Sequence, residues 1–170
     1  AKTYIEEAVK YGFVSGYTDG TFKPDNPITR AEFTKMLNSA IGNTAETDIN
    51  FPDVKSGKWY YNDVQKGVAA GFISGKSNGD FAPDAKITRQ ETAVMLSRIV
   101  PTSGSNATLK VYSDYKNVEY WAETALEKIT AKGYLGAYND GKLHPKDNLT
   151  RGQAAKILTL VLQKETIDKN

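Results

Sequence analysis

The chain contains no cysteine, a single histidine and no long apolar run. Without cysteine there is no disulfide framework, no thiolate metal site and no cysteine nucleophile. The compartment stays open, because extracellular proteins do not require disulfides. No apolar stretch approaches the roughly 18–20 residues that cross a bilayer, so no membrane insertion is expected. An excess of charge of one sign is also lacking: 22 basic residues stand against 20 acidic ones. Lys and Arg are scattered singly rather than massed, so no nucleic-acid partner is expected. Nothing at Ala1 resembles a signal peptide, so a secreted origin makes this a mature or excised fragment.

What is present is a globular composition, 39% hydrophobic and 25% charged over 170 residues. That length suits one module with a real core rather than two ordinary domains. Internal repetition dominates it. Three segments starting at Gly12, Gly71 and Gly133 align without a gap over 26 residues, and Arg30, Arg89 and Arg151 fall in register. Before each glycine lies an amphipathic stretch: Ile5, Ala8 and Val9; Val64, Val68 and Ala69; Ala125, Leu126 and Ile129. The glycine suits the left-handed position that ends a helix. An apolar pair follows (Phe13-Val14, Phe72-Ile73, Tyr134-Leu135), then a tight turn at Asp19-Gly20, Asn78-Gly79 or Asp140-Gly141. Phe22, Phe81 and Leu143 each anchor an ordered loop two residues before a proline. A second helix starts at Thr29, Thr88 and Thr150.

The second helices of copies two and three are apolar over a wide arc and are expected to be the most buried, packed on each other. The copies are placed at 1–42, 51–101 and 111–163. Their linkers, 42–50 and 101–110, are rich in Gly, Ser, Thr and Asn. One copy cannot bury its apolar face alone, so the three share one core, either as an open stack or as a closed pseudo-threefold. Copies two and three are preceded by Phe51-Pro-Asp53-Val and Tyr112-Ser-Asp114-Tyr, followed by Trp59 and Trp121. Copy one lacks such a strip, through a chain boundary or disorder.

The sharpest motif is Thr29-Arg30-Ala31-Glu32, with Thr88-Arg89-Gln90-Glu91 and Thr150-Arg151-Gly152-Gln153 in register. Threonine followed three residues later by Glu or Gln is a capping box and requires no ligand. The arginine is not explained by capping, since it sits at the unfavourable positive end of the helix dipole. A guanidinium beside free helix N–H groups would receive a carboxylate or phosphate. The competing reading is an ion pair to a nearby acid such as Asp25 or Asp84. Trp59 and Trp121 either stack on a sugar ring or clamp repeat to repeat.

His144 aligns with Lys23 and Ala82, so the repeat does not require its chemistry. No calcium loop, phosphate-binding glycine loop or nucleophile elbow is present, and no metal, cofactor or catalytic residue is expected. Asp53 and Asp114 are expected to cap or orient the first helix. Asn106 and Asn148 stand in glycosylation-type triplets, a frequent chance occurrence.

The full unit, Phe51-x-Asp53-Val with Trp59, Gly71-Phe-Ile-x-Gly75, Asn78-Gly79-x-Phe81-x-Pro83 and Ile87-Thr-Arg-x-Glu91, resembles the S-layer homology repeat across nearly the whole chain. The resemblance implies a mainly helical module of three helix–loop–helix repeats closed into a pseudo-threefold, with grooves between neighbours. It implies non-covalent anchoring to the secondary cell-wall polysaccharide of a bacterial envelope, through a pyruvylated N-acetylmannosamine residue. The protein would be secreted and held at the cell wall or surface layer, as a monomeric fragment without catalysis. By carry-over, Arg30, Arg89 and Arg151 would meet the pyruvyl carboxylate. Trp59 and Trp121 would line grooves, and Gly16 and Gly75 would let backbone approach the sugar.

A structural or protein-interaction module with internally paired arginines is the alternative. A glycan hydrolase would need two carboxylates poised across a cleft, and none stands apart from the capping and turn positions. The third copy, with Gly152-Gln153 and with Ala137 at the loop-glycine position, would hold a weaker site. Arg89→Ala would weaken binding at little cost in stability, and a large stability loss would favour the ion-pair reading.

Overall fold

The computed structural model describes residues 2–101 and 107–165. The described residues form six α-helices and two 3-10 turns with no β-strand: α1 (Lys2–Lys10), α2 (Arg30–Ile41), α3 (Tyr61–Ala69), α4 (Arg89–Ser97), α5 (Tyr120–Ala131) and α6 (Arg151–Lys164). Each copy thus holds two helices. Part of the second linker (102–106), with Asn106, lies outside the described residues.

The helix boundaries follow local chemistry. Gly12, Gly71 and Gly133 carry φ of 78°, 81° and 77°, the left-handed conformation that lets the chain leave a first helix without a Cβ clash. Thr29, Thr88 and Thr150 cap the second helices, each Oγ1 accepting the N–H three residues on. Glu32 and Gln153 return a bond to the threonine N–H at 2.9 and 3.0 Å. Glu91 does not, so the expected capping box is only half made in copy two.

The helices of one copy do not simply fold back on each other. The first helix of each copy packs on the second helix of the copy before it: α3 on α2, α5 on α4, and α1 on α6. The cycle closes because copy three supplies the surface for copy one. At the centre Ile28 N–H donates to Leu149 C=O, Leu149 N–H to Ile87 C=O, and Ile87 N–H to Ile28 C=O, at 3.0, 2.9 and 3.1 Å. These three residues are fully buried, in one core with Phe33, Leu37, Phe72, Phe81, Leu96 and Leu158. Of the two arrangements left open by sequence, the closed one is realised.

Three expectations change. Helix α2 is as buried as α4, with eight of 12 residues buried beside six of nine, and both exceed α6 with six of 14. Helix α2 is covered from two sides, by α3 and α6. Helix α4 rests on α5 rather than on α6. Val9 and Ala69 are exposed, whereas Ala8 is buried as expected and Gly67 joins Val64 on the buried face of α3. A Cβ on Gly67 would lie 2.3 Å from Ile73 Cδ1, so the absent side chain is what lets the apolar pair dock.

Asp53 and Asp114 do not cap the first helix. Each carboxylate crosses to the loop of its own copy and accepts two backbone N–H groups: Phe81 and Ala82 at 3.0 and 2.6 Å, Leu143 and His144 at 2.9 and 2.8 Å. Lys23, Ala82 and His144 share a left-handed backbone, with φ of 52°, 57° and 49°. The feature common to this register is therefore a bend and not a side chain.

Candidate functional site

The amides at each second-helix start point across a seam to the neighbouring copy. Arg30 and Ala31 donate to Ala85 and Pro83, Arg89 and Gln90 to Asp147 and Pro145, and Arg151 and Gly152 to Asn26 and Pro24, at 2.8 to 3.0 Å. With the next amide taken by the cap, the expected pocket of free N–H groups does not exist. Burial is the reason: amides inside a protein seam must be paired within it. At the closing seam a Cβ on Gly152 would meet Pro24 at 3.1 Å, so this departure in copy three permits close contact with copy one.

The arginines clasp the same seams. Arg30 Nε donates to Phe81 C=O at 2.8 Å, Arg89 Nε to Leu143 C=O at 3.0 Å and Arg151 Nε to Phe22 C=O at 3.0 Å. Each guanidinium also lies over an aromatic ring of the copy it clasps: Phe81 for Arg30, Tyr138 for Arg89, Tyr17 and Phe22 for Arg151. Arg30 and Arg89 are buried, with 6% and 5% exposure, while Arg151 is half-buried.

The distal nitrogens differ. Arg89 and Arg151 donate to the carbonyls of Gly136 and Ser15, equivalent positions in their loops. Arg30 turns instead to the Glu91 carboxylate, a pair that is itself largely buried. The ion pair weighed against anion binding is therefore present once, with Glu91 rather than Asp25 or Asp84. Neither Arg89 nor Arg151 has a carboxylate partner among the described residues. Burial holds Arg89 below the ordinary arginine value, opposed by the Tyr138 hydroxyl and by Asp147 and Asp114. It remains a cation at any physiological pH.

One groove is formed as a cavity of about 430 Å³. Arg30 enters it from copy one, Ser74, Gly75, Glu91 and Arg98 from copy two, and Trp121 from copy three. Three residues that the sequence singled out, Arg30, Gly75 and Trp121, thus come together from three copies. Trp121 and Trp59 are more than half exposed, at 55% and 56%, so neither is a buried clamp. At the seam holding Arg151, Gly16 adjoins Ser15, the acceptor from Arg151, and Lys35 of α2 lies 5.8 Å from the Trp59 ring. At the Arg89 seam no tryptophan occurs among the described residues, and Lys156 lies over the Tyr4 ring at 5.7 Å.

The loop glycines have a packing reason within the chain itself. A Cβ on Gly75 would lie 2.7 Å from the Phe51 ring, and one on Gly16 would lie 3.1 Å from Thr21 C=O. The chain itself fills that space. Arg98 and the Arg30–Glu91 pairing were not read from sequence. Arg98 follows Glu91 by seven residues, on the same helical face, and that spacing was the available signal.

A cyclic helical module of three tandem repeats, with an arginine at every seam and a groove assembled from three copies, is the class that fold and site define. The S-layer homology domain model matches residues 1–34, 50–93 and 111–155, and the chain belongs to that family. It is 33% identical to an endoglucanase of Bacillus sp. over 95% of this chain and 17% of that protein. It is 32% identical to the surface-layer 125 kDa protein of Lysinibacillus sphaericus, over 96% of this chain and 14% of that protein. It is also 32% identical to the cellulosome-anchoring protein of Acetivibrio thermocellus, over 89% and 36%. The chain therefore spans about a third or less of the length of these relatives.

Proposed function

We propose that this module anchors a bacterial surface protein to the cell wall, without catalysis, by binding secondary cell-wall polysaccharide through a pyruvylated N-acetylmannosamine residue. The observation that carries the reading is the groove of about 430 Å³ in which Arg30, Gly75 and Trp121 meet. Its size suits a sugar residue. Trp121 offers an exposed ring face for stacking, and Arg30 and Arg98 offer cations for a carboxylate. Matching relatives that are an anchoring protein, a surface-layer protein and an enzyme share this module as a small part of their length, which fits an attachment role independent of what is attached.

The experiment is a binding titration with purified cell-wall polymer, intact and with its pyruvate removed. Binding should fall at least about tenfold without pyruvate, the loss of one charge-assisted contact. Equal affinity for both polymers would sink the carboxylate reading.

One observation favours the structural alternative: the Arg30–Glu91 pair, which satisfies the arginine internally. That module would bind neither polymer, so the same titration separates the two.

A further inference from the structure

The three seams repeat one geometry and differ in the side chain that faces the arginine. That position is the third residue of the second helix in the clasped copy: Glu91 meets Arg30, Gln153 bonds the Tyr138 whose ring lies under Arg89, and Glu32 is the residue in the same register for Arg151. Each has two uses, to bond the threonine N–H of its own helix or to meet the arginine of the preceding copy. Glu32 and Gln153 take the first, bonding Thr29 and Thr150. Glu91 takes the second and leaves the Thr88 cap incomplete.

Gln153 is neutral, and its Nε2 donates to the Tyr138 hydroxyl at 2.8 Å, which keeps it in place beside Arg89. The charged or titratable groups around Arg89 are Tyr138, Asp147 and Asp114. Asp114 has both oxygens engaged by loop amides, and Asp147 faces His144 at 3.3 Å.

We propose that this third helical residue is an internal competitor that sets the anion affinity of each groove: Glu91 gates Arg30, whereas the neutral Gln153 leaves Arg89 without a competing carboxylate. An incoming carboxylate at Arg30 must displace Glu91, a like-charged competitor already in contact. Once displaced, Glu91 has a defined place to go, the Thr88 N–H, in the geometry that Glu32 already shows. Displacement is thus partly offset by completion of the cap, and the groove opens rather than staying locked. At Arg89 no carboxylate has to leave. Gln153, which sequence reading took as a weakening of copy three, becomes the reason that Arg89 of copy two faces no carboxylate. The inference deepens the anchoring reading and rests on it for the identity of the anion, but not for the ranking of the sites.

The test follows the three arginine Nε–H resonances by NMR, first with sulfate and then with a pyruvylated N-acetylmannosamine monosaccharide. Sulfate reports open guanidinium groups whatever the natural ligand. Arg89 should respond at lower sulfate than Arg30. Glu91→Gln should bring Arg30 down by about tenfold, and Gln153→Glu should push Arg89 up by a similar factor, the weight of one charge-assisted bond. Coincident titration of Arg30 and Arg89, or an order unmoved by either substitution, overturns the gate. Should Glu91→Gln fail to fold, Gln153→Glu decides alone. If the sulfate order holds and the sugar binds nowhere, the gate stands and the anchoring reading fails.

Discussion

At the scale of the residue, the arginine of the repeated motif has two jobs that the sequence could not separate. It was singled out because helix capping left it unexplained. In the structure its Nε–H closes a seam between copies, and its distal nitrogens meet the Glu91 carboxylate or the carbonyls of Gly136 and Ser15. Arg89→Ala therefore removes bonds to Leu143 and Gly136 and the stacking on Tyr138. The expected cost is about 2 kcal/mol in urea denaturation, chiefly because the buried Leu143 carbonyl loses a charged donor. A stability unchanged within about 0.5 kcal/mol would show that the clasp contributes nothing measurable. This reverses the expectation drawn from sequence, and a large loss here would not argue for an ion pair, because Arg89 has none among the described residues. Arg89→Lys should restore little, since one ammonium does not reproduce the planar fork that reaches both carbonyls.

At the scale of the element, the loops are fixed by carboxylates from the strips that precede the first helices. Burial pushes the Asp114 carboxyl up, but bonds from the Leu143 and His144 amides outweigh it and hold it below the ordinary aspartate value. A folded-state value below the unfolded one contributes stability that is complete above the unfolded pKa and lost as pH falls through the folded one. The window therefore lies below about pH 4. Asp114→Asn should cost about 1–2 kcal/mol at neutral pH, where Asn presents one acceptor instead of two to the loop amides. It should also flatten the decline in melting temperature between about pH 4 and pH 2. A parallel acid profile in parent and variant would remove the loop pin as its source. The Thr caps and terminal glycines were legible beforehand because capping is decided within four residues. The role of Asp114 was not, since its partners lie 29 and 30 residues away.

At the scale of the whole molecule, closure makes the copies mutually dependent. Each first helix finds its apolar partner in the preceding copy, and the central ring of Ile28, Ile87 and Leu149 needs all three for every bond. A chain ending at Pro101 retains copies one and two but leaves α1 without α6 and α4 without α5. It should lose cooperative unfolding and most of its helical circular dichroism signal. A sharp melt at the parent's temperature would instead mean that two copies fold unaided.

What the sequence determined by itself was everything governed by short range and repetition: three copies in register, two helices in each, their caps and ends, the apolar anchors, and the family. Those features depend on residues within a turn or two of one another, or on a pattern visible three times. Only the tertiary structure decided which helix packs on which copy, that the helix-start amides are consumed across the seams, and that Glu91 meets Arg30 while Gln153 leaves Arg89 without a carboxylate. The reason is the closed cycle itself: it joins residues of different copies, up to 156 positions apart between Gln163 and Glu7, and no local pattern records which copy becomes whose neighbour.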